Sequence, residues 1–225
     1  MINFLIMNET IVTASLLASI VAIVVMLIFA INSYRLKQNH NYSFRNQFPF
    51  ELTQGVGANN NIYIHIIVLF FTISTVIFGF YRIAYPLADF SGLTFLISWT
   101  ATSFVIYLIF ITKFASVKRH LLVSSLLFIL TIINRVMMGL YLQRSPALIQ
   151  SPVPSIISYG LAFIALLLAV NPKLSRWSMM DKYEQQDGTI IVLRPKLFVL
   201  ALTEWVLILL NILIMINSYL SAFAN

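Results

Sequence analysis

The chain has 225 residues, 60% of them apolar and only 9% charged, with a mean hydropathy of +0.92. Ordinary soluble domains carry about 25% charged residues, and a water-soluble fold does not cover this much apolar surface. The formal charge is +7 and the pI about 9.8, but the basic residues form short runs between apolar stretches, which speaks against nucleic acid as a partner. The absence of cysteine excludes disulfides, thiolate metal sites, Fe–S clusters and cysteine nucleophiles.

Six apolar stretches follow one another. They run from about Thr10 to Ile31, Ile62 to Tyr85, Leu93 to Thr112, Leu121 to Leu142, Val153 to Val170 and Leu197 to Leu220. A hydrocarbon core of about 30 Å takes about 20 residues at 1.5 Å rise. The expected fold is therefore all-α, a polytopic bundle of six transmembrane helices forming a single transmembrane domain over residues 1–225. The fifth stretch is the shortest, set between Pro146, Pro152 and Pro154 and the Asn171-Pro172 stop. No internal repeat suggests an inverted pair.

The first stretch superficially looks like a signal peptide. It lacks a preceding basic residue, exceeds a signal core in length and has no good cleavage site at Ala30-Ile31-Asn32. It reads as a retained span, with Ala14, Ala18 and Ala22, and Ser15 and Ser19, repeating every four residues as a close-packing face.

Between the first two spans, Asn39 to Asn60 is rich in asparagine and aromatics (Phe44, Phe48, Phe50) and ends in Gly55-Val56-Gly57-Ala58-Asn59-Asn60, read as a flexible aqueous turn. These glycines match neither a P-loop nor a dinucleotide fingerprint. In the second span, His65, Thr72, Thr75, Gly79 and Arg82 share one helix face, with Ile66, Ile73 and Ile77 elsewhere. Such a line suits the wall of a hydrated pathway, or a helix–helix contact with His65 and Arg82 near the two membrane surfaces. Thr94, Ser98 and Thr102 make a similar line in the third span, read as packing.

The fourth span carries Thr131 and Arg135 one turn apart. Arg135 is about 22 Å beyond His120 at helical rise. The loop 171–196 contains Asp187-Gly188 before Thr189 to Leu193, which reads as a hairpin or, preferably, an interfacial segment with Trp177 and Met179 against lipid. In the sixth span, Glu204, Asn211 and Ser218 recur every seven residues. Glu204 lies about 12 Å beyond Lys196 and Asn211 about 22 Å, which makes Asn211 the expected neighbour of Arg135. Glu204 is expected nearest in depth to His65, about 6 Å in from Asn60, as a His–carboxylate pair or as a neutral, hydrogen-bonded acid.

The loops 32–61, 113–120 and 171–196 hold Arg35, Lys37, Arg45, Lys113, Lys118, Arg119, Lys173, Arg176, Lys182, Arg194 and Lys196, eleven of the 14 basic residues. By the positive-inside rule these loops are cytoplasmic, in contact with anionic lipid headgroups, and both termini lie outside.

Enzyme readings have little support. His40, His65 and His120 sit on separate segments without metal-ligand spacing, and there is no nucleophile motif. No cofactor or metal is expected. The favoured reading is a multi-pass transport protein or permease component of the cell (plasma) membrane for a small solute or ion. Its candidate intramembrane polar site comprises His65, Thr72, Thr75, Arg82, Arg135, Glu204 and Asn211. The alternative is a non-catalytic regulatory or assembly subunit with a membrane protein partner.

Overall fold

The computed structural model describes residues 2–56, 58–84, 90–111, 117–144, 152–172, 174, 181–184, 190–193 and 197–221. Gly57, Tyr85, Thr112, Lys113, Pro146, Lys173, Arg176, Trp177, Met179, Asp187, Gly188, Thr189, Arg194 and Lys196 lie outside the described residues.

Helix α1 spans Ile2–Gln38, α2 Pro49–Gln54, α3 Ala58–Gly79, α4 Phe90–Ile111, α5 Val117–Arg144, α6 Val153–Ala169 and α7 Val199–Leu220. Helix α3 runs on through a π-helical turn, Phe80–Ala84. Five helical segments are long and apolar enough to cross a membrane, within α1, α3 with its π turn, α4, α5 and α7. Helix α6 is apolar but shorter, at 17 residues.

Local chemistry explains the ends. Asn39 adopts a left-handed conformation (φ 57°) and its N–H closes on the Arg35 carbonyl, ending α1 as asparagine can. Pro49 opens α2 at a position where no N–H is needed, and Glu51 accepts the Phe48 N–H at 2.8 Å. In the last basic loop, Asp181–Glu184 and Ile190–Leu193 pair as antiparallel strands β1 and β2, Asp181 opposite Leu193 and Glu184 opposite Ile190. A hairpin therefore forms where the sequence favours a lipid-lying segment, because β-branched Ile190, Ile191 and Val192 have a partner strand.

The helices pack mainly with chain neighbours: α1 on α3, α3 on α4, α4 on α5, α5 on α6 and α6 on α7, with α5 also against α7. Two apolar cores form. One lies at the end bearing the basic loops, with Phe48, Leu52, Ile64, Phe110 and Leu207. The other lies at the opposite end, with Val12, Phe78, Trp99, Met138 and Ile214. Leu17, Ile28, Ile66, Phe70, Ile97, Leu122 and Ile156 stay exposed on the outside, where acyl chains accept them without cost.

The packing face of α1 is rotated from the alanine line. Ser15, Ser19, Ala22, Met26 and Ala30 are buried, whereas Ala14 is exposed. The serines manage this by returning their hydroxyls to the Val12 and Ser15 carbonyls at 2.9 and 2.8 Å.

The first basic loop is not an aqueous spacer. Tyr42, Phe48, Leu52, Thr53 and Val56 are buried, and the segment lies across the basic end of the bundle. Gly55 is required there for space: a Cβ would sit 2.2 Å from the Tyr34 ring.

Candidate functional site

The polar residues of α3 turn inward as their spacing predicts. Thr72 and Thr75 are buried, while Ile66, Ile73 and Ile77 are exposed. Thr75 is bonded across to another helix, and Thr72 to its own. The Thr75 hydroxyl lies 3.1 Å from that of Ser103, Trp99 Nε1 donates to the Thr75 carbonyl at 2.7 Å, and Thr72 returns to Val68 at 2.9 Å. Gly79 completes the contact, since a Cβ there would lie 2.4 Å from Trp99. This face is joined to α4 by a closed set of hydrogen bonds.

Asn134 extends the set to α5. It bonds the Ser98 hydroxyl at 2.7 Å and also reaches Thr102. Ser98 and Thr102 are therefore packing residues, as expected, whereas Thr94 is exposed.

The interface of α5 with α7 is built differently. Ser124 bonds Glu204 and the Asn211 amide reaches the Thr131 hydroxyl at 3.3 Å, both across a separation of 80 residues. The two helices thus run parallel and meet in one register at seven-residue intervals. Three polar levels follow along it.

At the basic end, Glu204 is fully buried and its Oε1 lies 3.0 Å from His120 Nε2. Phe48 and Phe50 set ring edges against the imidazole, at centroid distances of 4.3 and 5.4 Å. The loop is fastened over this pair by Tyr42, which donates to the Gln47 and Phe48 carbonyls at 2.9 and 2.7 Å and accepts from Trp205 Nε1 at 3.2 Å. Burial pushes the Tyr42 phenol well above the ordinary tyrosine range, so it stays a donor.

His120, not His65, is therefore the histidine beside Glu204. Depth counted from Lys196 is misleading because α7 begins at Val199. Glu204 is only about 7.5 Å from that start, much as His120 is about 4.5 Å from Val117. His65 is half-buried on α3, and no bond joins it to Glu204 among the described residues.

At the middle level, Arg135 is fully buried and donates through Nη1 to the Thr131 carbonyl at 3.0 Å. Asn211 sits on the same threonine, through its hydroxyl, and spends its other hydrogen on the Leu207 carbonyl at 2.8 Å. The two side chains share Thr131 as a partner, with no direct bond between them among the described residues.

The third level is the end of α7. Arg82, carried by the π turn, donates from Nε and Nη2 to the Ser218 carbonyl at 3.0 and 2.8 Å and from Nη2 to Ser221 Oγ at 3.0 Å. A cation placed on the free carbonyls at a helix C-terminus is favoured by the helix dipole. Arg82 is thereby held between α3 and α7 and does not simply snorkel.

These levels leave polar atoms without partners. Glu204 Oε2, Arg135 Nε and Nη2, and Ser218 Oγ are buried and unbonded among the described residues. A cleft of about 350 Å³ opens beside the first level, lined by Leu121, Ser124, Phe128, Ala169, Leu174 and Leu200. The serine that binds Glu204 thus forms part of its wall.

His120, Ser124 and Asn134 were not singled out from the sequence. The signal for the first two was there: 120, 124, 131 and 135 fall on one helix face.

Long apolar helices wrapped around buried polar side chains, with an apolar exterior, define a polytopic integral membrane protein. No protein-family model, curated protein or solved structure matches the chain.

Proposed function

We propose that the protein carries or conducts a small solute or ion across the cell membrane along the α5/α7 interface. The observation that supports this reading is the set of buried polar atoms, unpartnered among the described residues, at three successive levels of one parallel helix pair: Glu204 Oε2, Arg135 Nε and Nη2, and Ser218 Oγ. Buried polar groups are nearly always satisfied in a purely structural core, so a file of open donors and acceptors suits water and a passing solute. In this reading all six apolar helices cross the membrane, α6 included, the basic loops face the cytoplasm on anionic headgroups, and both termini lie outside.

If transport is coupled to protons, Glu204 is the residue that carries the coupling. It is buried at the end bearing the basic loops, faces His120, and adjoins the cleft through Ser124. Glu204→Gln keeps the shape but removes the ionisable group. In proteoliposomes it should abolish the pH dependence of flux while the purified protein stays folded. No flux of any ion or small solute, together with stoichiometric co-purification of another membrane complex, replaces this reading with that of a regulatory or assembly subunit.

A further inference from the structure

Among the described residues, Arg135 is the one fully buried large side chain that carries a fixed charge. A guanidinium does not deprotonate in proteins, and an unpaired charge at membrane depth is costly. Its natural counter-charge is out of reach. By the register that pairs Thr131 with Asn211, Arg135 is level with Met215, eleven residues beyond Glu204, or about 16 Å along the helix. Glu204 is in any case engaged by His120 and Ser124.

The pattern of used and unused donors is specific. Nη1 is taken by the Thr131 carbonyl, whereas Nε and Nη2 have no acceptor among the described residues. Those two N–H groups form the edge of the guanidinium that points two parallel donors in one direction, which matches two oxygens of a planar anion. Further along α7 stand a second cation, Arg82 of the π turn, and the Ser218 hydroxyl, unpartnered among the described residues. Two arginines in file attract anions and repel cations.

We infer that Arg135 is a binding site for a small monovalent oxyanion with two oxygens on one edge, such as a carboxylate, bicarbonate or nitrate. This rests on the transport reading and gives its solute class. The anion occupies the free guanidinium edge and neutralises the charge within the bundle.

The test uses the detergent-purified full chain with formate or nitrate as probe, gluconate as the bulky control anion, and thermal unfolding as the readout. Formate and nitrate should raise the midpoint saturably, as any ligand of the folded state does. The shift should vanish in Arg135→Met and need at least tenfold more anion in Arg135→Lys, which keeps charge but loses the fork. An equal shift in wild type and Arg135→Met, or no shift above gluconate in the wild type, overturns the site.

Proteoliposome flux separates this inference from the reading beneath it. Cation flux without anion binding sinks the oxyanion site and leaves transport standing. Saturable anion binding without any flux keeps the site and sinks transport.

Discussion

Two interfaces in this bundle contain much the same residue types and are finished in opposite ways. Between α3 and α4, Thr75, Ser103 and Trp99 hydrogen-bond one another, and Gly79 gives Trp99 the space to approach. Between α5 and α7, Arg135 and Glu204 each keep buried polar atoms without a partner among the described residues. The first interface holds helices together; the second holds charge in reserve. Polar residues on a helix face do not by themselves distinguish the two cases. What distinguishes them is whether every donor and acceptor is used up within the protein.

Substitutions should therefore change stability in opposite directions at the two sites. The largest effect is expected at Arg135→Met in a gluconate medium. Replacing an uncompensated buried charge by an apolar chain of similar length should stabilise the protein by about 1–4 kcal/mol, read as a higher unfolding midpoint. A lower midpoint would place Arg135 among the structural contacts and erase the contrast.

On the closed interface, Gly79→Val should cost about 1–3 kcal/mol, because the new side chain meets the Trp99 ring. Stability equal to wild type would show that α3 and α4 are not in close contact at this point.

Tyr42→Phe, at the loop over the Glu204 level, should cost about 1 kcal/mol for the lost hydroxyl bonds. The raised phenol pKa adds a pH signature. The contribution is fully present below the unfolded tyrosine value of about 10 and declines as pH rises from there toward the folded value. Alkaline titration of stability should thus be steeper in wild type than in Tyr42→Phe, and superimposable curves would exclude Tyr42 as the cause.

Asn134→Leu should have the smallest effect, a loss of about 0.6 kcal/mol, since Ser98 and Thr102 also bond carbonyls of their own helix. A loss several times larger would show that α5 depends on this network for its position.

The parts of this architecture that were legible in the sequence are those set by neighbours in the chain. The apolar runs fall on α1 and α3 to α7, and the inward turn of Thr72 and Thr75 follows from helical spacing alone. The pairing of His120 with Glu204 depends on where two separate helices begin. Lys196 is a poor origin for depth when the helix starts at Val199. The burial of Tyr42, Phe48 and Leu52 was hidden for another reason. An asparagine-rich stretch looks aqueous, and the groups its aromatics meet, His120, Phe198 and Trp205, lie far along the chain. The β1/β2 pairing similarly needed a second strand before Asp187 that has no alternating apolar pattern, Asp181 to Glu184.

The fastening of the first basic loop sets an order of assembly. The Arg45 carbonyl accepts the Phe198 N–H at 2.8 Å, and the Gln47 carbonyl accepts Trp205 Nε1 at 3.2 Å. The loop leaves the ribosome before α3 exists, yet its partners emerge with the last helix, about 150 residues and roughly 10–30 s later at ordinary elongation rates. During that interval Phe48 and Leu52 have no α7 to cover them. The bundle locks from its end rather than from its start, and a chain arrested before Val199 carries its own open seam.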